Sequence, residues 1–299
     1  MSPVASHLLS ALASVWPSPV RRQGKRMGGH TPRTAAYHRA YVVEQFMWRV
    51  RNGLGSSLDL EPFWGKDVLE VACGHGGITL YLAAMGARRA VGIDLNTEHM
   101  AVGLALADEI AAKNGRPLPV ELLEMDATKT TFADASFDVV VADNCFEHFT
   151  DPAAVLHEIA RVLRPGGTLV VPVFSSILSK YGLHLKHGLH LPWTNLVFSE
   201  ETILDALRLR AAKDPSLFTV YPGLETARRA VDVRPHRDLN DITHEEFLRL
   251  ANAEGFKVRS FAVHATLTGR ALRKLAPRLE RSRLFDVLST GAGAVLERL

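Results

Sequence analysis

The stretch Val68-Leu69-Glu70-Val71-Ala72-Cys73-Gly74-His75-Gly76-Gly77 constrains this chain more than any other. A short apolar run, Asp67–Ala72, ends at a glycine cluster, and a helical pattern, Ile78–Met85, starts directly after it. Glycine there lets the backbone turn sharply and lets a ligand come close. The helix N-terminus beyond the turn offers free N–H groups to an anion. The alternation then repeats. Arg89–Asp94 reads as a strand and Thr97–Asn114 as a helix closed by Gly115. Val120–Glu124, Phe137–Ala142 and Thr168–Val173 read as further strands. Pro152–Leu163 is helical, with Asp151 as N-cap and Pro152 in its first position. Repeated βα units with apolar strands predict an α/β chain built on a parallel, doubly wound sheet.

Ligands of such sheets bind at the carboxyl ends of the strands. Three features fall there in succession. The glycine cluster follows the first strand. Asp94 ends the second, twenty positions after Gly74, where a carboxylate can accept hydrogen bonds from a ribose diol. Asp126 follows the third, where it can meet the exocyclic amine of a purine. A dinucleotide fingerprint needs a third glycine, but Thr79 stands at that position. Glu70, on the first strand, would repel a pyrophosphate and suits a cofactor with an ammonium group.

These residues carry a family resemblance. Glu70-Val71-Ala72-Cys73-Gly74-His75-Gly76 resembles the first motif of the class I S-adenosylmethionine-dependent methyltransferases. Gly92-Ile93-Asp94 and Met125-Asp126-Ala127 resemble their second-strand end and adenine-facing segment. Phe137-Asp138-Val139-Val140-Val141 with Glu147-His148, and Leu163-Arg164-Pro165-Gly166-Gly167, resemble the fourth strand with its loop and the turn before the fifth. The chain is most similar to the type 11 small-molecule group, from about Asp67 to Val173 and more weakly from Thr243 to Leu299. One departure is Ala72, where many members carry glycine; we expect only a slight change in backbone approach.

The resemblance implies a Rossmann-like, seven-stranded sheet, mostly parallel, with an antiparallel last strand and a helical lid insertion. Phe256–His264 and Gly291–Glu297 would be its final strand pair. It implies S-adenosylmethionine as cofactor and S-adenosylhomocysteine as product. Cofactor-binding roles fall on Glu70, Ala72, Gly74, Gly76, Asp94, Leu95, Asp126, Ala127, Asp143 and Asn144. The implied activity is methyl transfer to a hydroxyl or amine, with carbon a lesser choice, of a small metabolite or natural product.

A hydroxyl or protonated amine needs a base, and histidine is suited to that task. His148, after the fourth strand, is one candidate, and packing of its loop is the structural alternative. His187 is the other. It lies in the run His184, His187, His190. Three imidazoles can hold a metal. His184 and His190, however, diverge on a helix, and Gly188 weakens one there. We therefore read this run as surface or lid side chains and expect no resident metal.

The organisation we expect is a flexible basic tail over 1–33, a cap helix within 34–65, the core over 66–174, a helical lid over 175–240 and the rest of the core over 241–299. Trp193, Phe198, Phe218 and Tyr221 either line an acceptor pocket in the lid or form a small core of their own. Tyr37 and Tyr41 would lie near the cofactor if the cap helix closes the site.

The net charge of +3 is unevenly spread. Residues 1–40 hold six Lys/Arg and no Asp/Glu, whereas residues 41–199 hold 12 basic and 18 acidic residues. The tail raises a nucleic-acid (RNA) methyltransferase as the alternative function. Asp143-Asn144-Cys145-Phe146 lacks the Asn/Asp-Pro-Pro-aromatic motif of amino-methylating nucleic-acid enzymes, and interleaved aromatic and Arg side chains are missing from the sequence. We thus expect a small-molecule partner, with a homodimer left open. No apolar run reaches the about 18–20 residues of a membrane helix. The two cysteines, Cys73 and Cys145, fit a reducing, cytoplasmic location.

Overall fold

A computed structural model describes residues 3–15, 34–54, 63–182, 189, 191–213, 239–275 and 282–299. Seven strands run as β1 (Asp67–Val71), β2 (Arg89–Asp94), β3 (Val120–Glu124), β4 (Phe137–Ala142), β5 (Leu163–Phe174), β6 (Phe256–Ala265) and β7 (Ser289–Arg298). They form one sheet in the order β3-β2-β1-β4-β5-β7-β6. Pairings among β1 to β5 are parallel, and β7 runs antiparallel to both β5 and β6. This is the predicted mixed sheet, and both closing strands are longer than the sequence pattern indicates.

The helices among the described residues are α1 (Pro3–Val15), α2 (Ala35–Asn52), α3 (Gly77–Ala84), α4 (Met100–Asn114), α5 (Pro152–Val162), α6 (Thr194–Val197), α7 (Glu200–Lys213), α8 (His244–Ala253), α9 (Leu267–Leu275) and α10 (Arg283–Val287). Caps set several starts. Thr34 Oγ1 accepts from the Tyr37 N–H at 3.2 Å, and Asp151 accepts from Ala154 at 2.9 Å. Thr243 accepts from Glu246 at 3.1 Å, as its spacing predicts.

Strand side chains alternate between two buried faces, which is why the strands read as continuous apolar runs. On one face Leu69, Val71 and Val140 pack with Val155, Leu156 and Ile159 of α5 and with Phe247 and Ala251 of α8. On the other, Val68, Val139 and Val141 pack with Ile78, Tyr81 and Leu82 of α3. Each fully buried Val or Leu adds about 1.5–3 kcal/mol. That anchors the strand ends from which the site is built. Strand order reverses between β1 and β4, the place where a crevice opens in such sheets.

The amino-terminal end differs from expectation. The sequence predicts little fixed structure over 1–33, whereas Pro3–Val15 is helical. Leu9 and Ala13 bury against Ile203, Ala206 and Leu207 of α7, in a cluster that also holds Leu189. Pro3 opens this helix, where a proline is tolerated, and the remaining Pro/Gly residues begin at Pro17, beyond it. Phe198 packs on the same cluster, so it belongs to a small local core of its own. The Trp193 indole N–H donates to Val287 O at 2.7 Å, tying the segment after β5 to the last residue of α10. Phe218, Tyr221 and the run His184, His187, His190 lie outside the described residues.

Candidate functional site

The turn after β1 is held at every step. Cys73 N–H donates to Ile93 O at 2.9 Å, and Gly76 N–H to Cys73 O at 2.9 Å. Gly74 and Gly76 take φ of 55° and 77°, a region closed to most side chains. A Cβ on Gly76 would also meet Leu122 Cδ1 at 2.6 Å. Ala72 shares this left-handed conformation, with φ 54°. The expected slight effect of alanine at this position is therefore a strained backbone, because Cβ crowds the following carbonyl. Asn144, after β4, has φ 54° as well, which its short polar side chain tolerates.

Asp94 ends β2 facing this turn. Its Oδ2 accepts from the Gly74 N–H at 2.8 Å and its Oδ1 from Asn96 at 2.9 Å. The carboxylate therefore fixes the turn, and its oxygens keep further lone pairs for a ligand hydroxyl. Leu95 is exposed beside it. After β3, Asp126 Oδ1 accepts from the Thr128 N–H and hydroxyl, both at 2.8 Å, and Ala127 packs at the edge of the core.

The buried charges gather around β1 and β4. Glu70 lies on β1 and accepts from the Thr79 hydroxyl. Burial, with a smaller push from Asp143, raises its pKa to about 8. Asp143 follows β4 and binds Arg49, which sequence reasoning did not single out. Their side chains are 13% and 9% exposed, so both charges are largely removed from water. Arg49 also donates to Leu54 O at 3.0 Å. Burial raises the Asp143 pKa, and the Arg49 guanidinium opposes that rise. Asp143 Oδ1 is buried without a hydrogen-bond partner among the described residues. Burial likewise raises the Cys73 and Cys145 thiols well above their ordinary range, so neither is a thiolate nucleophile.

The helix α2 lies over this group. A Cβ on Gly77 would meet Gln45 Cβ at 2.8 Å, so α2 rests directly on the start of α3. The Tyr41 ring lies 4.9 Å from that of His75 in the glycine turn. Burial raises the Tyr41 hydroxyl, with further pushes from Tyr37 and Asp143. Burial lowers His75 to about 3, and His99 and His38 add to that. His148 closes a single 3-10 turn, Phe146–His148, and is exposed. The described structure thus joins Glu70, Gly74, Gly76, Asp94 and Asp143 along one sheet edge, with Ala72 in the same turn. His187 lies outside the described residues.

A glutamate, an aspartate with a free oxygen, and an arginine side by side form the donor set for an amino-acid zwitterion. The carboxylates match an ammonium and the guanidinium matches a carboxylate. Asp94 adds an acceptor for a diol. These residues fit a nucleoside joined to an amino acid.

Comparison with known proteins agrees. Residues 69–171 match the family model described as a methyltransferase domain. Demethylmenaquinone methyltransferase of Corynebacterium kroppenstedtii is 36% identical over 130 residues, 41% of this chain and 51% of that protein. Phthiotriol/phenolphthiotriol dimycocerosates methyltransferase of Mycobacterium tuberculosis is 38% identical over 107 residues, 34% of this chain and 36% of that protein. The matched part is thus about half of these relatives or less. The S-adenosylmethionine-dependent methyltransferase of Mesorhizobium loti superposes with a TM-score of 0.51 at 14% identity, covering 86% of this chain and all of that one. No described helix is long and apolar enough to cross a membrane. Residues 69–171 thus match the type 11 methyltransferase domain model, and the chain has the fold of the S-adenosylmethionine-dependent methyltransferase of Mesorhizobium loti.

Proposed function

We propose that this protein transfers the methyl group of S-adenosylmethionine to a hydroxyl or amine, with carbon the lesser choice, of a small metabolite or natural product. The observation that carries the reading is the buried set Glu70, Asp143 and Arg49 beside the Gly74–Gly76 turn and Asp94. Bound there, the cofactor supplies a methyl group made electrophilic by its sulfonium. Glu70 and the free oxygen of Asp143 hold the ammonium, Arg49 orients the carboxylate, Asp94 accepts from the ribose, and Asp126 with Ala127 borders the purine. The protein's main contribution is orientation of acceptor and methyl carbon, which is worth several kcal/mol. His148 ends the turn that follows β4 and serves in this reading as the base for the acceptor. The names of curated relatives, which carry demethylmenaquinone, phthiotriol dimycocerosates and, in Triticum aestivum, phosphoethanolamine, support a small-molecule acceptor.

The test has two parts. Calorimetry should give one S-adenosylhomocysteine site per chain, lost in Asp94→Ala. A screen of phenols, quinols, lipid alcohols and amines with methyl-labelled cofactor should then label one class. Failure to bind the cofactor overturns the whole reading. Labelling of RNA in place of every small molecule overturns the acceptor. The residues that raise the RNA alternative, Arg21, Arg22, Lys25 and Arg26, lie outside the described residues.

A further inference from the structure

Three histidines that the proposed reaction does not use meet above the glycine turn. His38 comes from α2, His75 from the turn itself and His99 from the N-cap of α4. One ring nitrogen of each can be chosen so that all three lie within 4.8 Å of one another. His38 Nδ1 is 2.9 Å from His75 Nε2. The rings of His75 and His99 lie 4.2 Å apart at 5°, and those of His38 and His99 lie 4.6 Å apart. His75 is buried and the other two are half-buried.

We propose that His38, His75 and His99 form a zinc-class metal site that fastens the cap helix α2 to the glycine turn and to α4. Two imidazoles bound to one tetrahedral zinc, at about 2.0–2.1 Å each, hold their nitrogens about 3.4 Å apart. The His38–His75 pair at 2.9 Å and the bound of 4.8 Å on all three ligand nitrogens are compatible with that spacing. The near-parallel pair His75 and His99 must rotate about a side-chain torsion so that both in-plane lone pairs reach one ion. His99 can make that move, because it is half-buried and ends a helix rather than lying within one. The donor set is all imidazole, without a carboxylate. It therefore selects zinc, cobalt, nickel or copper over magnesium or calcium. Three protein ligands leave the fourth position to water.

A hydrogen bond between His38 and His75 alone would need only two rings. The third brings a second helix into the same cluster. The three positions are separated by 37 and 24 residues, as their numbers show, so an ion there crosslinks elements with no other covalent tie. Binding favours the arrangement in which α2 lies on the turn, by mass action on the folded, closed state.

The experiment uses the full chain, stripped of metal and free of cofactor, so its failure leaves the methyltransferase reading untouched. Zinc is titrated against a chromophoric chelator, cobalt is added for its visible spectrum, and thermal melting is followed with and without zinc. The expected result is one zinc per chain, a tetrahedral cobalt spectrum, and a melting temperature raised by zinc. His38→Gln and His99→Gln should each weaken zinc about tenfold or more and abolish the zinc-dependent rise in melting temperature. Circular dichroism identifies any variant that has not folded, and the second variant then decides. The variant with His184, His187 and His190 all changed to Gln should bind as wild type. Substoichiometric zinc, or binding unchanged in both single variants, overturns the proposal and leaves an adventitious ion only.

Discussion

The Arg49 guanidinium is buried against the Asp143 carboxylate, joining the cap helix to the end of β4 across 94 residues of sequence. Removing one partner of a buried pair strands the other charge, at a cost of about 3–5 kcal/mol. Arg49→Ala and Asp143→Ala should therefore each lower stability by that order in chemical denaturation. The double variant should lose less than the two losses added together, with a coupling of about 0.5–3 kcal/mol. Simple additivity would mean that the pair does not act as a unit. Cofactor affinity should fall about tenfold or more in Arg49→Ala, since the ligand carboxylate loses its partner.

Glu70 makes cofactor binding sensitive to pH. Burial raises its pKa to about 8, so at neutral pH the cofactor-free protein holds Glu70 protonated. An ammonium group favours the ionised form. Binding below pH 8 must therefore release a proton, and affinity should rise with pH up to about 8 and then level. Calorimetry in buffers of different ionisation enthalpy counts that proton. The Glu70→Gln variant should bind more weakly with a flat profile. For stability the sign is opposite. An acid whose folded pKa is raised stabilises less as pH climbs from its unfolded value of about 4.3 towards 8.

How far the sequence carries depends on the range of each interaction. The strands, the glycine turn and the acids Glu70 on β1, Asp94 at the end of β2 and Asp126 after β3 are local signals: an apolar run, a turn residue, a carboxylate near a strand end. Arg49 gave no such signal. It sits on a helix beside Arg51, and only tertiary packing shows which arginine is buried. The same holds for His38, His75 and His99, whose spacing matches no metal motif. The helix α1 was missed because its packing face is narrow, Leu9 and Ala13 against α7, and because a proline-rich segment follows it. The run His184, His187, His190, prominent in sequence, lies outside the described residues.

Gly103 tests how closely α4 must approach the turn. A Cβ there would stand 2.1 Å from the His75 carbonyl oxygen, which is backbone and cannot rotate away. An exposed helical glycine changed to alanine gains about 1 kcal/mol. Gly103→Ala should instead cost about 1–3 kcal/mol by overpacking. Because His75 lies between Gly74 and Gly76, cofactor affinity should drop with stability. A more stable variant with full affinity would refute the close contact.

Ala72 offers the reverse case. Its φ of 54° places an L side chain in the left-handed region, at a cost of about 1–2 kcal/mol. Ala72→Gly removes that cost and adds about 0.5–1 kcal/mol of chain entropy in the unfolded state. A net gain of up to about 1.5 kcal/mol is expected by denaturant titration, with cofactor binding kept. A loss of stability would show that the methyl group packs well enough to outweigh the strain.

His148 decides whether the acceptor is deprotonated by the protein. It is exposed at the end of the turn after β4, and a melting curve of the variant reports any effect on folding separately. As a general base it contributes about 10²–10⁴ to turnover. His148→Ala should therefore lower kcat by that order and remove the limb of the pH–rate profile set by a neutral imidazole. Affinity for S-adenosylhomocysteine should stay at the wild-type value, which separates this effect from damage to the cofactor site. The full effect is expected for a hydroxyl acceptor. Phenolate-forming substrates of low pKa should be less sensitive, because they ionise without help. Unchanged turnover with an alcohol acceptor would remove His148 as the base and leave it a loop residue.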